Sequence, residues 1–164
     1  MKEQIIIANP YNEDHIKLFQ EYEQENNITN QTSEYLLKIK NMMSESDYRQ
    51  LEHEKPEIVQ ILFLLQNNKI VSAVHLIGEK DRKVCRMAID NTTLPKYQER
   101  LLEEAENYAY TTLGMEEIAF FQESGNRIPI SYFKNHNFDD LGMENGKRVF
   151  MKSKAIDKLS EYQM

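Results

Sequence analysis

The residues of this sequence best suited to chemistry include a single cysteine and four histidines. His75 lies within an apolar stretch that ends at Ile77, where two roles are open: a satisfied histidine of a core or cleft wall, or a general base. Cys85 lies in a second apolar stretch, Val84 to Ile89, and is either a small buried side chain or a nucleophile. Because apolar neighbours disfavour the thiolate and raise the pKa of a thiol, we expect Cys85 to be structural.

The other histidines do not form a metal-binding pattern. His15, His53 and His136 have no partner at the spacing that zinc ligands use, so we predict no metal site. One cysteine excludes an intrachain disulfide. The sequence also has no Ser–His–Asp, Walker or Rossmann pattern, and none of those classes of enzyme or nucleotide-binding protein is indicated.

The composition narrows the class of protein. Hydrophobic residues make up 40% of the chain, which suffices for a core and argues against a disordered chain. The formal net charge of −7 repels phosphate groups, so nucleic acid and membranes are not expected partners. The apolar run Ile5 to Ala8 is too short for a signal peptide or a membrane span. We therefore expect a cytoplasmic protein.

The elements that must position these residues begin with a strand and helices. The isoleucine-rich segment Gln4 to Ala8 predicts a strand. Asn12 is placed to cap a helix whose apolar residues recur at helical spacing. A second helix is predicted from Thr32 or Ser33, and residues 47–53 are open to a further turn of helix.

Three antiparallel strands are predicted in the middle of the chain. Ile58 to Leu65 is a near-continuous apolar run, typical of a strand buried on both faces. Asn67-Asn68 favours a tight turn into a returning strand over Ile70 to Ile77. Gly78 to Arg82 is predicted as the next turn, and Lys83 to Ile89 as the third strand.

The C-terminal half alternates helices and strands. Pro95 is placed to open a helix that Gly114 ends. A strand over Glu117 to Glu123 and a helix after about Asn126 follow. Two further strands form a hairpin around Asn145-Gly146. On the first of these helices, an acidic run is expected to form a solvated face: Glu99, Glu103, Glu104 and Glu106.

The predicted order of elements is β, α, α, β, β, β, α, β, α, β, β. The sequence has no repeat and no linker rich in proline or glycine, which predicts one domain over residues 1–153 and a short tail over 154–164. This order, together with three local stretches, resembles the GNAT-type N-acetyltransferases. The three stretches read NNKIVSAVHLI, YQERLLEEAENYAYTTLGMEEIAFF and NRIPISYFKNHNFDDLG. The resemblance implies an α+β fold, with a mixed, mostly antiparallel sheet flanked by helices.

The cofactor that the resemblance implies is acetyl-CoA. In this family a glycine-rich loop before the central helix holds the pyrophosphate through its backbone N–H groups. The corresponding stretch, Asn91 to Arg100, contains no glycine, and this chain is a divergent member by that criterion. Because backbone groups and the helix dipole remain, the resemblance still implies cofactor contacts from the following residues: Met87, Ala88, Ile89, Thr93, Leu94, Lys96, Tyr97, Gln98, Arg100 and Asn126.

The catalytic acid that the resemblance implies also departs from the family pattern. Family members commonly use a tyrosine to protonate the leaving thiolate, and that position holds Phe133 here, counted back from Phe138. Phenylalanine has no proton to give. Tyr132 is adjacent and is the candidate acid, provided that the helix is rotated, since one residue turns a helical side chain by about 100°.

Two functions follow as expectations from the resemblance. The first is an acetyl-CoA-dependent N-acetyltransferase that acts on a small-molecule or peptide amine, with a homodimer as an expected assembly. The second is a non-catalytic domain of the same fold that binds a protein or another ligand. We also expect the fourth and fifth strands to diverge near Ala88 and Phe121, which leaves a cleft for an extended pantetheine.

Overall fold

The structure is a computed structural model that describes residues 3–28, 31–90, 95–123, 126 and 128–154. Within these residues, one seven-stranded sheet is flanked by helices on both faces. The elements are β1 (Glu3–Ile7), α1 (Glu13–Glu25), α2 (Gln31–Met42), α3 (Glu45–Glu54), β2 (Glu57–Gln66), β3 (Lys69–Glu79), β4 (Val84–Ile89), α4 (Pro95–Thr111), β5 (Glu117–Gln122), α5 (Ile130–Asn135), β6 (Asp139–Glu144) and β7 (Lys147–Ser153). The predicted α+β fold is confirmed, and the predicted order of elements is found with one additional helix, α3, between α2 and β2.

The strands lie in the order β1-β2-β3-β4-β5-β7-β6. Among the described residues, β4 and β5 form the parallel pair, and the other neighbours are antiparallel. Asn67 and Asn68 both adopt positive φ in the β2–β3 turn, and Asn145 and Gly146 do so in the β6–β7 turn. Because asparagine and glycine tolerate positive φ, these conformations explain why Asn67-Asn68 and Asn145-Gly146 predicted hairpin turns.

The predicted turn at Gly78 is wrong in its start, because β3 continues through Gly78 to Glu79. A Cβ atom at Gly78 would lie 3.1 Å from Ile58 Cγ2 and 3.2 Å from Met115 Cε. The glycine therefore serves close packing inside the sheet, and the turn is made later, where Lys83 adopts φ 55°.

Helices α1 and α2 cover one face of the sheet. The side chain of Asn12 caps α1 as predicted, accepting hydrogen bonds from the N–H groups of Asp14 and His15. Phe19 of α1 packs edge-on against Phe63 of β2, with ring centroids 5.3 Å apart. α3, left open by the sequence, is a helix capped by Ser44.

Glu23 ties these two helices together and was missed by the sequence analysis. Its side chain projects from α1, is 1% exposed, and accepts hydrogen bonds from the N–H groups of Thr32 at 2.9 Å and Ser33 at 3.0 Å. These N–H groups lie in the first turn of α2, where helical donors lack backbone acceptors. A carboxylate is also favoured there by the helix dipole.

Helix α4 covers the opposite face and begins at Pro95 as predicted. Its buried residues Leu101, Leu102, Ala105 and Ala109 share one core with alternate residues of β4. Cys85 belongs to this core, is 0% exposed, and has its pKa raised to about 12 by burial. The prediction of a structural cysteine is confirmed.

Candidate active site

The parallel pair β4–β5 opens before either strand ends. Register partners run from Val84–Glu117 to Met87–Phe120 and stop there, although β4 continues to Ile89 and β5 to Gln122. Asp90 N–H donates to the Ala73 carbonyl of β3 at 3.1 Å. Because successive residues of a strand point their backbone groups to opposite sides, the N–H and C=O of Ile89 face the gap. The predicted divergence near Ala88 and Phe121 is confirmed.

A cavity of about 430 Å³ lies at this gap, on the face of the sheet that α1 covers. Its lining comes from β3, β4, β5 and the β6–β7 hairpin: His75, Ile77, Arg86, Met87, Ala88, Phe121, Glu144, Asn145 and Lys147. Met87 and Ala88, both predicted cofactor residues, border this space. The side chains of Met87 and Ile89 both belong to the core under α4, whereas Ala88 lies on the opposite face of the strand.

His75, which lines the cavity, faces a carboxylate. His75 Nε2 lies 3.7 Å from Asp90 Oδ1, an ion-pair distance that is longer than a hydrogen bond. The other carboxylate oxygen, Asp90 Oδ2, accepts a hydrogen bond of 3.1 Å from the Tyr22 hydroxyl of α1. The histidine is thus cleft-lining, and it stands in a chain of three polar groups drawn from β3, β4 and α1.

The cations around the cavity are paired with carboxylates. Arg86 Nη2 lies 2.9 Å from Glu57 Oε2, and Arg86 Nε lies 3.9 Å from Glu79 Oε1. Lys147 Nζ lies 3.2 Å from Glu123 Oε1. The carboxylate of Glu144, which also lines the cavity, forms no ion pair with any described residue. The cavity therefore combines apolar walls with charges that are largely neutralised before any ligand enters.

The predicted cofactor residues at the start of α4 are partly committed to other contacts. Gln98 is buried and donates from Nε2 to the Asp90 carbonyl at 2.8 Å. Arg100 Nε lies 2.6 Å from Glu3 Oε2 of β1. Lys96 Nζ lies 4.9 Å from the ring centre of Tyr97, a half-buried residue. Of this set, Lys96 is the cation that remains exposed beside the helix N-terminus without a carboxylate partner among the described residues.

Three further predicted cofactor residues are accounted for separately. Thr93 and Leu94 lie outside the described residues. Asn126 Oδ1 accepts hydrogen bonds from the Ile128 N–H at 2.9 Å and from Gln122 Nε2 at 3.2 Å. The side chain of Asn126 thus bonds to backbone two residues on, a local role that asparagine commonly takes.

Tyr132, the predicted acid, lies in α5 and faces α4. Its side chain is 4% exposed, and its hydroxyl is buried with no hydrogen-bond partner among the described residues. Burial and the nearby carboxylates of Glu106, Glu103 and Glu99, in that order, raise the pKa of the phenol, which is therefore protonated at neutral pH. Tyr132 does not line the cavity around His75.

Phe133 points elsewhere. It is completely buried and stacks on Phe150 of β7, with ring centroids 4.0 Å apart and planes 5° apart. The position that is a tyrosine in the family is thus a core residue in this chain. α5 itself is shorter than predicted, because it begins at Ile130, after Pro129, and excludes Ile128.

The predicted solvated acidic face of α4 is wrong at one position. Glu106 is buried and pairs with Lys152 Nζ of β7 at 3.1 Å. Burial raises the pKa of the Glu106 carboxyl, and Lys152 partly offsets this effect. Lys152 thus pairs with the Glu106 carboxylate, which helical periodicity alone predicted to be exposed to solvent.

The described residues offer neither a metal site nor a membrane-spanning helix. No group of three or more His, Cys, Asp or Glu side chains is placed to hold a metal ion there. None of the helices in this part of the chain is long and apolar enough to cross a membrane.

Two residues of the site, Asp90 and Tyr22, were not predicted from the sequence, and neither was a role for the Arg86 side chain. A signal for Asp90 was present, because period-two alternation puts it on the same face of β4 as Ala88, beside His75 of the next strand. The register that brings them together depends on the β3–β4 turn, which the sequence placed too early. Tyr22 was assigned to the apolar face of α1, and its hydroxyl could not be given a partner.

Comparison with known proteins gives matches in structure. No protein-family model matches the sequence, and no curated protein matches it. Crystal structures that are similar include the N-acetyltransferase PseH of Campylobacter jejuni, with 12% identity over 93% of this chain and 98% of that chain and a TM-score of 0.60. An acetyltransferase of the GNAT family from Streptococcus pneumoniae has 16% identity over 93% and 99%, with a TM-score of 0.63.

A third similar structure is a dodecameric spermidine N-acetyltransferase of Vibrio cholerae, with 13% identity over 93% of this chain and 94% of that chain and a TM-score of 0.60. PseH has also been solved in complex with acetyl coenzyme A. At these identities the similarity concerns the fold alone, and it covers nearly the whole length of both proteins in each comparison. The chain has the fold of the GNAT-type N-acetyltransferases.

Proposed function

We propose that this protein transfers an acetyl group from acetyl-CoA to an amine. The observation that carries the proposal is the gap between β4 and β5, which opens beyond Met87 and Phe120 beside a cavity and next to the start of α4. An extended ligand with amide groups can add to a free strand edge through main-chain hydrogen bonds. The backbone of Ile89 offers such an edge, and the pantetheine of CoA carries two amides.

The cofactor-binding residues of the proposal follow the strand and the helix. Met87, Ala88 and Ile89 would hold the pantetheine, and the segment from Thr93 to Arg100 would meet the pyrophosphate at the N-terminus of α4. Lys96 supplies a cation to this segment. Arg100 is available to phosphate only if it leaves Glu3, so its contribution to affinity is reduced by the loss of that ion pair.

The chemistry of the proposal needs a neutral amine, a polarised thioester carbonyl and a proton for the leaving thiolate. Acetyl-CoA, when bound, supplies the thioester. The backbone N–H of Ile89 is the group that faces the gap and can polarise a carbonyl there. Tyr132 is the proposed acid; its buried, protonated hydroxyl supports this role, although it must reach from the α4 side to the gap.

The acceptor is proposed to be a small-molecule or peptide amine. Since Arg86 and Lys147 are neutralised by carboxylates, an ammonium group entering the cavity meets little repulsion, and Glu144 attracts it. The apolar walls from Ile77, Met87 and Phe121 suit the carbon skeleton of such a compound. The expected homodimer and cytoplasmic location stay predictions.

A second function, a non-catalytic domain that binds another ligand or a protein, is favoured by one specific set of contacts. Arg100 is held by Glu3, and Glu99, Glu103 and Glu106 surround the tyrosine that would act as acid. An anionic cofactor is repelled by these carboxylates and meets fewer free cations. This alternative predicts a folded protein that releases no thiol from acetyl-CoA.

Thiol release separates the two functions. Protein is incubated with acetyl-CoA and an amine, with spermidine, tyramine or the peptide Gly-Lys-Gly as probes, and free CoA is followed with a thiol reagent. Enzymatic transfer predicts release that depends on both the amine and the protein concentration. Cys85 is buried, so it adds little background. The absence of amine-dependent release with a wide panel of amines would favour the non-catalytic function.

A further inference from the structure

We propose that His75 is the general base that deprotonates the acceptor amine, with Asp90 and Tyr22 as positioning residues. This inference rests on the proposed acetyl transfer and assigns its proton acceptor. The sequence left His75 open between a satisfied histidine of the cleft wall and a base. The arrangement around its ring decides between these roles.

The sheet register brings His75 to the reaction centre. His75 is paired with Ala88, and Ala88 borders the gap at which β4 leaves β5. Asp90 lies two residues after Ala88, directly beyond the end of β4, and its backbone N–H still bonds to β3. Its side chain is therefore on the same face as Ala88 and diagonal to His75. The ring, the carboxylate and the gap therefore occupy one small region that three elements hold in place.

The contact with Asp90 selects the tautomer. Nε2 faces Asp90 Oδ1, so the proton of a neutral ring is favoured on Nε2 and the lone pair on Nδ1. Nδ1 makes no hydrogen bond within the described ranges, and the ring lines the cavity. Asp90 is itself held by the hydroxyl of Tyr22. A satisfied structural histidine would instead use both ring nitrogens, as histidines buried in cores do.

Exposure and surrounding charge suit a group that must exchange protons. The side chains of His75 and Asp90 are 34% and 25% exposed, so solvent can reach the pair. The neighbouring side chains on β2 and β3, Ile61 and Ile77, carry no charge. The charged groups that line the cavity with the ring are Arg86, Glu144 and Lys147, and Asp90 faces the ring from outside that lining.

The protons of the reaction balance with these groups. An ammonium acceptor carries three N–H protons. His75 Nδ1 takes the first and passes it to solvent, after which the amine lone pair attacks the thioester carbon. The C–N bond forms and the C–S bond breaks. The thiolate of CoA takes a proton from the Tyr132 hydroxyl. As the amide forms, the nitrogen loses its second proton, which returns to the Tyr132 oxygen. The third stays on the amide.

The test uses His75→Gln, with His53→Gln as a matched control because His53 is an exposed histidine in α3. The acceptor is the probe amine that gives the highest rate with acetyl-CoA. We expect kcat/KM of His75→Gln to fall roughly 100-fold at neutral pH, the usual scale of general-base catalysis, and the acidic limb of its pH–rate profile to disappear. The control keeps the parent profile, and acetyl-CoA affinity stays within about twofold in both, as no cofactor contact is removed.

Two additional measurements keep the outcomes separable. His75→Ala should regain activity when imidazole is added, which a loss of folding would not permit. In the protein without ligand, ¹⁵N NMR should find the neutral ring of His75 protonated on Nε2, with a mixture of tautomers in Asp90→Ala. An unchanged rate and pH profile in His75→Gln, or a neutral ring protonated on Nδ1, would overturn the inference. If the parent neither binds acetyl-CoA nor releases thiol, the proposed function fails instead, and the base role fails with it.

Discussion

The two faces of the sheet at the β4–β5 gap are prepared to different degrees. On the α1 face, His75 lines a cavity and lies at ion-pair distance from Asp90, which accepts a hydrogen bond from Tyr22. On the α4 face, Arg100 is bound to Glu3, and the hydroxyl of Tyr132 is buried beside carboxylates. The acceptor side of the proposed reaction is thus assembled, whereas the cofactor side must exchange contacts before it can act.

Asp90 lies where the two faces meet. Its carboxylate faces His75 and Tyr22 on the α1 side, while its backbone carbonyl accepts a hydrogen bond from Gln98 of α4. A change at the start of α4 on ligand binding can therefore be transmitted to the histidine through one residue. The comparison shows that one residue, Asp90, contacts side chains of the α1 face and the first turns of α4.

The largest expected effect concerns the core residue on the α4 face. Replacing Phe133 by alanine removes a fully buried ring that stacks on Phe150, and we expect a loss of about 3–5 kcal/mol in the free energy of unfolding. Urea denaturation measures it. Phe133→Leu, which keeps most of the volume, serves as the control and should lose much less. A loss below about 1 kcal/mol for the alanine variant would show that the ring is not a core residue.

The next effect separates activity from stability at the neighbouring residue. Tyr132→Phe removes the proposed acid, so thiol release should fall roughly 100-fold. The same change removes a buried hydroxyl that lacks a partner, and stability should stay constant or rise by about 1 kcal/mol.

Tyr108→Phe is the matched control for Tyr132→Phe, because Tyr108 also lies on the α4 side and its hydroxyl makes only a long contact with Gln60, at 3.4 Å. Its activity should equal that of the parent. Full activity in Tyr132→Phe would remove the tyrosine from the proposed mechanism while leaving the gap and its cofactor contacts in place.

A smaller effect tests the support of the α1 face. Glu23 accepts from both first-turn N–H groups of α2 through Oε2 and from the Ser33 hydroxyl through Oε1. Glu23→Gln removes the negative charge and replaces one of these acceptor oxygens by an NH₂ group, which cannot accept. We expect a loss of about 1.5–3 kcal/mol by chemical denaturation. Glu25→Gln, at an exposed ion pair with Lys69, should change stability by less than about 0.5 kcal/mol. Equal effects of the two changes would contradict the anchoring role.

The smallest effect is a pH dependence. Burial raises the pKa of Glu106, so the folded protein holds that proton at a pH where the unfolded chain has released it. Stability is therefore lost as the pH rises from the ordinary value near 4.5 through the folded pKa. The slope of the free energy of unfolding against pH should flatten in Glu106→Gln. Glu104→Gln, an exposed change on the same helix, should keep the parent slope.

Much of the fold could be predicted from the sequence, because helix starts and turns depend on residues that are adjacent in the chain. Helix starts were indicated by single residues, Asn12 and Pro95. Hairpin turns were indicated by two dipeptides whose residues tolerate positive φ, Asn67-Asn68 and Asn145-Gly146. The errors arose where tertiary packing decided: Gly78 stays in the sheet because Ile58 and Met115 crowd it. A helical pattern alone could not reveal such contacts.

The candidate site was only partly readable for the same reason. The gap at Ala88 was predicted from the order of elements, since it depends on topology alone. The partnership of His75 with Asp90 depends on strand register, and the pairing of Arg100 with Glu3 joins residues that are far apart along the chain. Neither is encoded in a spacing along the chain.

The most direct test of the central claim is isothermal titration of acetyl-CoA into the parent protein and into Ala88→Phe. Phenylalanine at position 88 fills the gap side of the cavity, far from the buried core under α4. We predict that the parent binds one acetyl-CoA per chain with a Kd below about 1 mM, roughly −4 kcal/mol, and that the variant binds at least tenfold more weakly while remaining folded. No binding by the parent at millimolar acetyl-CoA, or equal binding by both proteins, would contradict a cofactor site at the β4–β5 gap.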